Sequence, residues 1–223
     1  MKKLILSTIL AVFAIGISNA QLTTGEVKYS IEASSTDESM AMATSMMQGS
    51  EMSMVFSGEK ARTEFNMGSM MSMTVVADGN SDKILMLMGG MMGDIAIPTT
   101  TKELEASQDE AETPEVNIEL TNDTKNILGY SCKKAILTNE DGVEVIYWYT
   151  EEIEVNRTGQ RNMNADVPGF PLEFATNQSG LVMSFTATEF SKTLSDKESV
   201  LFSTKVPEGY KVMTMKELTS MGM

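Results

Sequence analysis

Apolar and polar residues alternate through most of the chain beyond residue 24, which is the period of strands with one buried face. Turn-forming clusters separate these runs, and Asp141-Gly142 between two of them is a strong hairpin signal. The pattern predicts strands over residues 25–33, 52–56, 61–67, 71–76, 84–88, 130–138, 143–150, 172–175 and 181–190. Because sheets of about ten strands rarely stay flat and open, we expect a mainly β fold: a curved antiparallel sheet or half-open β-barrel with one or two short helices.

Short helices are predicted at two places. Ser35 and Glu38 have the spacing of a capping box, so a helix is expected over about 37–48, ended by Gly49. A second short helix is expected from about Thr214. The expected buried stripe of the first helix consists of Met40, Ala43 and Met47.

Residues 102–115 are predicted to form a solvated acidic loop. This segment carries six carboxylates against one lysine and has little apolar surface, so its like charges repel and burial would gain little. We interpret it as an excursion within a single β-rich domain over 21–223. A linker between two domains is the alternative.

Residues 1–20 have the three parts of a secretory signal peptide. A charged start (Lys2 and Lys3) is followed by an apolar run over 4–17 and by small residues before Gln21. The apolar run is shorter than the roughly 20 residues that cross a bilayer, and no later apolar run is longer. We therefore predict an exported protein, periplasmic or extracellular, with no transmembrane segment after signal cleavage. An uncleaved N-terminal anchor is the alternative.

The charge balance and the absence of histidine exclude several function classes. The 223 residues include 17 Lys plus Arg and 31 Asp plus Glu, so the net charge is −14, and removal of the signal would take it to −16. This balance argues against a nucleic-acid partner and against docking on anionic lipid, since both need a basic surface. Without histidine, a Ser-His-Asp triad, a Cys-His dyad and a His-ligated zinc site cannot form within this chain. No carboxylate pair has a recognisable catalytic spacing, so we expect no enzyme.

The one cysteine, Cys132, cannot form a disulfide within the chain. It shares strand phase with Leu128 and Tyr130, which favours a small, buried apolar side chain. A copper ligand or an intermolecular disulfide is the alternative for this thiol.

The second half of the chain resembles a known exported bacterial family. The features that carry the resemblance are Ile127 to Lys134, Trp148 to Ile153 and Val167 to Leu172, with looser matches over Gly25 to Tyr29 and Lys60 to Glu64. Together they resemble the GLPGLI family, named after its Gly-Leu-Pro-Gly-Leu-Ile motif, and a related domain-of-unknown-function family, DUF 4412. Val167 and Phe170-Pro171 depart from the naming motif, which makes the second family the closer match. The resemblance implies a fold similar to periplasmic lipoprotein carriers (LolA-like), a half-barrel with helices plugging an apolar cavity, and it implies no catalytic residue.

Methionine is the strongest anomaly of the composition, with 21 in the chain, 14 of them between Met40 and Met92. Three interpretations stay open: a core in which methionine replaces leucine, an adaptable cavity for apolar ligands, and a soft-metal site, because thioethers bind Cu(I). Met-x-Met pairs on a strand point to one face roughly 7 Å apart, so a thioether cluster is within reach. Sacrificial scavenging of oxidants is a further alternative.

Each interpretation predicts its own site. The predicted lining of a ligand cavity is Met52, Met54, Phe56, Met71, Met73, Met86, Met88 and Trp148. The helix over 37–48 would act as its plug or lid. The predicted Cu(I) ligands are Met40, Met42, Met52, Met54, Met71 and Met73.

Three other motifs receive structural interpretations. Asp78–Asp82 resembles the start of a calcium loop but lacks its later Gly and Glu, so a hairpin turn is predicted. Trp148 and Tyr149 should lie on opposite faces of one strand. Arg157 and Arg161 are predicted in an exposed loop, with a charged lip of a cavity as the alternative.

Three functions follow from these patterns. The leading hypothesis is a non-enzymatic, carrier-like binding protein for a lipid or another apolar or amphipathic ligand. The second is a methionine-rich protein that binds or buffers Cu(I). The third is a cell-envelope interaction module with a protein partner. No cofactor is expected, since the sequence shows no nucleotide, haem or nicotinamide motif.

Overall fold

The computed structural model describes residues 21–67, 71–90, 93–109, 116–140, 142–155, 167–178 and 180–220. The strands are β1 (Thr24–Ser35), β2 (Ser50–Ser57), β3 (Lys60–Met67), β4 (Met71–Asp78), β5 (Lys83–Gly90), β6 (Ile95–Thr99), β7 (Val116–Ile127), β8 (Tyr130–Asn139), β9 (Glu144–Thr150), β10 (Phe170–Gln178), β11 (Leu181–Ser191) and β12 (Lys211–Val212). The helices are α1 (Ala41–Met46), α2 (Thr101–Asp109), α3 (Glu198–Leu201) and α4 (Met215–Ser220), with a 3₁₀ turn over Glu38–Met40.

All of these strands belong to one sheet. Its order is β12-β6-β5-β4-β3-β2-β1-β11-β10-β9-β8-β7. Neighbouring strands pair antiparallel, except that β12 pairs parallel with β6. The N-terminal strands and the C-terminal strands meet where β1 pairs with both β2 and β11. The predicted mainly β, antiparallel fold class is therefore confirmed.

The sheet curls, so that strands far apart in its order touch on one face. Phe56 of β2 and Phe170 of β10 have two strands between them, yet their ring centroids are 5.8 Å apart. Tyr130 of β8 and Phe190 of β11 also have two strands between them, and their ring centroids are 5.1 Å apart. A flat sheet would hold such pairs about 14 Å apart, because adjacent strands are spaced about 4.8 Å. We call the face within the curl the inner face and the opposite one the outer face.

The main core fills the curl between β1, β2 and the strands β8 to β11. Its buried rings are Tyr29, Phe56, Tyr130, Tyr147, Tyr149, Phe170, Phe174 and Phe185. Phe174 and Phe185 stack with ring centroids 4.5 Å apart. Burial of each large apolar side chain contributes about 1.5–3 kcal/mol relative to exposure, so this cluster holds the two edges of the curl together.

The outer face of β2 and β4 to β6 is covered by the chain that follows β11. Phe202 is buried there against Val55, Val76 and Leu85. Arg62 fastens the same segment, since its Nη1 donates to the carbonyl of Leu201 at 3.2 Å. β4 and β5 carry apolar residues on both faces because both faces are covered.

Helices α2 and α4 cover only part of the inner face of β4 to β6, and Met86 and Met88 pack partly buried against the covered part. Leu104 of α2 packs on Ala77 and Ile84, and Leu218 of α4 packs near Ile95 and Ile97. Both helices begin with a capping box, in which a threonine and a glutamate three residues later exchange hydrogen bonds. The pairs are Thr100 with Glu103 and Thr214 with Glu217. The predicted helix from about Thr214 is confirmed.

The structure corrects the loop predicted over 102–115. Helix α2 occupies Thr101–Asp109, and residues 110–115 lie outside the described residues. The missed signal is the Thr100–Glu103 capping box, in which the Glu103 carboxylate accepts from the Thr100 N–H at 3.2 Å. The cap and the apolar contact of Leu104 outweigh the repulsion between carboxylates.

Smaller corrections concern strands and a cap. Strands β6, β7 and the two-residue β12 were not predicted, because none of them shows a clean alternation. The helix predicted over 37–48 is confirmed as the 3₁₀ turn followed by α1, but its cap is Asp37, whose Oδ1 accepts from the Ser39 N–H at 2.8 Å. Ser35 instead accepts from the Asp37 N–H.

One further prediction is confirmed, and others concern residues that the structure does not describe. Asp78–Asp82 forms the predicted hairpin turn, in which Asp78 Oδ1 accepts from the Asn80 N–H at 3.1 Å. The predicted signal peptide, Arg157 and Arg161 all lie outside the described residues. No helix in the described part of the chain is long and apolar enough to cross a membrane.

Candidate functional site

Strand register places the predicted methionines in rows across the inner face. One row runs through Met52, Phe65, Met73, Met88 and Ile95, on β2 to β6. The next row runs through Met54, Thr63, Val75, Met86 and Ile97. Met67 of β3 and Met71 of β4 are directly opposite each other, two residues beyond the first row on the same face.

Burial divides these methionines into two groups. Met52 and Met54 are only 3% and 1% exposed and, with Phe56, belong to the main core. Met71, Met73, Met86 and Met88 are half-buried, so each keeps part of its surface accessible. The structure therefore separates the predicted cavity lining into core residues and residues that a ligand can reach.

We define the methionine patch as Phe65, Met67, Met71, Met73 and Met88. Two cross-strand pairs build it, Met67 with Met71 and Met73 with Met88. Directly opposite residues have Cβ atoms about 4.5–5.5 Å apart, so the four thioether chains lie side by side. The ring of Phe65 connects the patch to the main core, since it contacts the ring of Phe185 edge-on with ring centroids 6.2 Å apart. The patch is a soft, adaptable apolar surface.

Helix α1 lies at the same end of the sheet and contacts β1. Met42 and Met46 of this helix are 73% and 50% exposed, and none of its residues is buried. The residues of the predicted stripe, Met40, Ala43 and Met47, are half-buried. The stripe therefore faces the protein as predicted but reaches only partial burial.

Trp148 is not brought to the methionine strands. It pairs with Lys134 of β8 and Glu173 of β10, in opposite phase to Tyr147. Lys125 Nζ lies 4.6 Å from the centroid of the Trp148 ring and 2.7 Å from Glu173 Oε2. This cation–π contact and ion pair give Trp148 a structural environment far from the patch.

Tyr149 and Cys132 both lie in the main core. Tyr149 is 2% exposed, and Cys132 is fully buried, which confirms its predicted burial. Burial raises the pKa of the Cys132 thiol to about 11, since the thiolate would lose its hydration. At neutral pH the thiol is therefore protonated and a poor nucleophile.

The outer face carries a polar groove of about 380 Å³ over β1 to β3 and β11. Its walls include Lys28, Glu51, Glu64, Asn66 and Glu189. Lys28 Nζ and Glu189 Oε2 form an ion pair at 2.7 Å, and Glu64 is paired with Arg62. Because Lys28, Glu64 and Glu189 already have partners in these ion pairs, we take the methionine patch as the candidate site.

Sequence reasoning missed two members of the patch, Phe65 and Met67. The alternation over 61–67 placed both on one face of a strand. What it lacked was the pairing of that strand, because only the register shows that Phe65 lies between Met52 and Met73.

A family model matches residues 95–217, which is more than half of the chain. The chain belongs to the family "N-glycanase peptide, N-terminal domain". The resemblance to the GLPGLI family and DUF 4412 is corrected accordingly, because the matching family is a different one. This N-glycanase N-terminal domain match begins at β6, so the methionine strands β2 to β5 lie outside it. No curated protein sequence matches the chain significantly.

The chain is similar to several solved structures at low sequence identity. A β-barrel-like DUF1849 protein from Brucella abortus is 8% identical, with 77% of this chain and 98% of that chain covered and a TM-score of 0.39. The lipoprotein LppX from Mycobacterium tuberculosis is 12% identical, with 78% and 88% covered and a TM-score of 0.35. A LolA superfamily protein from Nitrosomonas europaea is 11% identical, with 82% and 90% covered and a TM-score of 0.24.

Proposed function

We propose that this protein is a non-enzymatic binding protein that holds an apolar or amphipathic molecule against the methionine patch. The observation that carries the proposal is the patch itself, whose five side chains share the inner face of three adjacent strands and are all half-buried. Ligand sites are lined mostly by apolar side chains. Unbranched, polarizable methionine chains repack around ligands of different shape.

The binding role is also supported by the chemistry of the described residues. The chain has no histidine, and its one thiol is buried in the core with a raised pKa. The family description names the N-terminal domain of an N-glycanase. We propose that this chain binds a ligand, while any catalytic step in a system that contains such a domain belongs to another domain or protein.

Export of the chain is part of the proposal. It rests on the signal-like pattern of residues 1–20, and it would place the ligand in the cell envelope or outside the cell. The predicted lid role of α1 also stands as a proposal, supported by its position beside β1 and by its half-buried stripe.

A fluorescent apolar probe tests the proposal directly. N-phenylnaphthylamine is uncharged and brightens in an apolar environment, so titration of the purified protein measures its affinity. Replacement of Met73 and Met88 by Gln should weaken binding about tenfold, because polar amides would line the patch. Met42→Gln is the matched control, since Met42 is 73% exposed. Absence of probe binding, or equal affinity in the double variant and the wild type, would refute the proposal.

Native mass spectrometry of protein purified from the periplasm, without added ligand, gives an independent check. A bound lipid-like mass that is absent from the Met73→Gln, Met88→Gln variant supports the proposal. Co-purification of a stoichiometric envelope protein that survives in the variant would instead favour an interaction module.

Binding of Cu(I) is a second candidate function, favoured by one observation. The pairs Met67–Met71 and Met73–Met88 bring four thioethers onto one accessible surface, and thioethers are ligands for Cu(I). Among the ligands predicted from sequence, Met71 and Met73 belong to this group. Met52 and Met54 are core residues, and Met40 and Met42 lie on the 3₁₀ turn and α1.

Competition with bicinchoninate under reducing conditions measures Cu(I) binding. On this hypothesis, replacement of Met73 and Met88 by Leu abolishes Cu(I) uptake, because Leu keeps the volume but removes the sulfur. Replacement of Met52 and Met54 by Leu is the matched control and should leave uptake intact. Uptake that survives the first pair of changes would exclude the patch as the metal site.

A further inference from the structure

Two buried hydroxyl groups at the methionine end of the inner face have no hydrogen-bond partner among the described residues. They are Ser50 Oγ and Thr176 Oγ1, and Ser50 is only 2% exposed. Native structures pair nearly all buried polar atoms, so an unpartnered hydroxyl requires an explanation. A third such atom, Tyr130 Oη, lies elsewhere in the core, beside Phe190.

Register places Ser50 beside the methionine patch and Thr176 on the other side of the aromatic core, at the same end of the sheet. Ser50 lies opposite Ile31, which lies opposite Phe185, which in turn lies opposite Phe174. Thr176 follows Phe174 by two residues, so it is one inner-face step further along β10. The two hydroxyls therefore flank the end of the aromatic core above the stacked rings of Phe174 and Phe185.

Ser50 also borders the patch on its other side. Glu51 of β2 pairs with Asn66 of β3. Ser50, one residue before Glu51, therefore lies beside Met67, one residue after Asn66. Met67 in turn lies opposite Met71. One unpartnered hydroxyl thus lies at the border of the patch and the other across the same end of the core, an arrangement that suits a molecule with an apolar chain and a hydrogen-bonding head.

The charge at this end of the sheet limits what that head can be. The segments that join or flank the strands there, residues 30–51, 65–74, 86–97, 137–146 and 176–182, contain eight carboxylates and no lysine or arginine. Lys211 reaches this end only at the outermost strand, where it pairs with Ile95. The hairpins at the opposite end carry both signs of charge, with Lys60 and Lys83 beside Glu59, Asp78 and Asp82. An anionic head would meet a field of its own sign.

We infer that the methionine patch takes a neutral, single-chain amphiphile whose hydroxyl or ester head hydrogen-bonds Ser50 and Thr176, and that the acidic end of the sheet excludes anionic amphiphiles. The inference rests on the proposed binding function and adds the class of ligand. Hydroxyl groups of Ser and Thr both donate and accept, so they match an alcohol or an ester without any charge.

Displacement of N-phenylnaphthylamine by three amphiphiles of equal chain length tests this inference. The probes are monododecanoylglycerol (neutral), dodecanoate (anionic) and dodecyltrimethylammonium (cationic), each kept below its micelle concentration. The neutral probe should bind about tenfold more tightly than dodecanoate at low salt. This difference in affinity should become smaller as salt screens the charges of the acidic end. Equal binding of dodecanoate, or tighter binding of the cationic probe, overturns the inference.

Variants separate this inference from the proposed function. Ser50→Ala with Thr176→Val should weaken monododecanoylglycerol about tenfold and leave N-phenylnaphthylamine unchanged, because the dye needs only the apolar patch. Ser53→Ala, on the outer face of the same strand, is the matched control. If the dye binds and responds to Met73→Gln but the hydroxyl variant keeps its affinity for the neutral probe, the inference fails and the proposed function stands. If the dye does not bind, both fail.

Two further measurements test the premises. Ser50→Ala alone should unfold at the same or a higher temperature without ligand, since it removes an unpartnered buried hydroxyl. A clear loss of stability would show that the hydroxyl has a structural partner and would overturn the inference. Glu38→Gln with Glu51→Gln should improve dodecanoate binding several-fold if the acidic end excludes anions, and no improvement counts against it.

Discussion

The hydroxyl of Tyr29 donates a hydrogen bond of 2.8 Å to the backbone carbonyl of Pro171. Tyr29 lies on β1 and Pro171 on β10, and β11 separates these strands in the sheet. The register of β10 against β9 shifts between Pro171 and Glu173, next to this carbonyl. The bond therefore fastens the curl at the place where the ladder is irregular.

Removal of this bond should destabilise the fold without changing its architecture. In Tyr29→Phe the carbonyl of Pro171 stays buried but loses its donor, so we expect the free energy of unfolding to fall by about 1–2 kcal/mol. Urea unfolding monitored by tryptophan fluorescence measures this. Tyr210→Phe, a half-buried tyrosine of the outer face, is the control. An unchanged midpoint in Tyr29→Phe would show that the bond contributes nothing.

Gly169 should tolerate no side chain. A Cβ there would lie 2.6 Å from the carbonyl oxygen of Thr150 and 2.6 Å from a ring carbon of Tyr149. Backbone cannot yield cheaply, so Gly169→Ala should cost about 2–3 kcal/mol. Gly89→Ala is the matched comparison, because its nearest contact is the side-chain oxygen of Ser72 at 2.9 Å, which can rotate away. Equal thermal shifts in the two variants would contradict the crowding at Gly169.

The cap of α4 should lose its effect in acid. The Thr214 N–H and hydroxyl donate to the Glu217 carboxylate at 2.8 and 2.9 Å, and these bonds lower its pKa below the ordinary value of 4.5. A lowered folded-state pKa gives stability that is present above the unfolded pKa and lost as pH falls through the folded value. The wild type should therefore exceed Glu217→Ala in stability at neutral pH, and the difference should shrink below about pH 4.

Urea unfolding of both proteins across this pH range measures the difference. Glu208→Ala, which removes an exposed carboxylate in the turn before β12, is the control for loss of a negative charge outside the cap. A Glu217 difference that persists undiminished in strong acid would show that the carboxylate charge is irrelevant to the cap.

The buried thiol of Cys132 should make the protein less stable in base. Its pKa is raised to about 11 from an ordinary value of 9.0, because burial opposes the thiolate. The unfolded state therefore releases this proton first, and stability that is complete below about pH 9 is lost as pH rises through the folded pKa. Cys132→Ala should remove this part of the slope, although Tyr147, whose pKa burial raises to about 12, still contributes.

Alkylation gives a second readout for the same thiol. Iodoacetamide should modify Cys132 in native protein at pH 8 far more slowly than in urea-unfolded protein, because the folded thiol is buried and protonated. Comparable rates in the two states would contradict its burial.

Most strands could be predicted from sequence because apolar and polar residues alternate along a strand with one buried face. Met52, Met54 and Phe56 are a clear case, since they occupy every second position of the strand and all face the core. β5 was also found, although Leu85 and Leu87 make it apolar on both faces. α2 was not predicted, because the six carboxylates of its segment favoured a solvated loop and the capping box of Thr100 and Glu103 was not considered.

The candidate site could be predicted only in part. Sequence phase placed Met71 and Met73 on one face, and the structure confirms that they share it. Phase could not show that Met73 lies opposite Met88, that Phe65 separates it from Met52, or that Trp148 belongs to another part of the sheet. These facts depend on which strands pair.

The fold class, most strands, the acidic charge and the abundance of methionine follow from the sequence, because periodicity and composition are local properties of the chain. Which methionines fill the core and which stay accessible depends on the tertiary structure. The curl of the sheet brings Phe56 to Phe170 and buries Met54, while Met67 and Met71 lie beyond the filled part. Long-range register and curvature set burial, and neither is encoded in the spacing of residues along one strand.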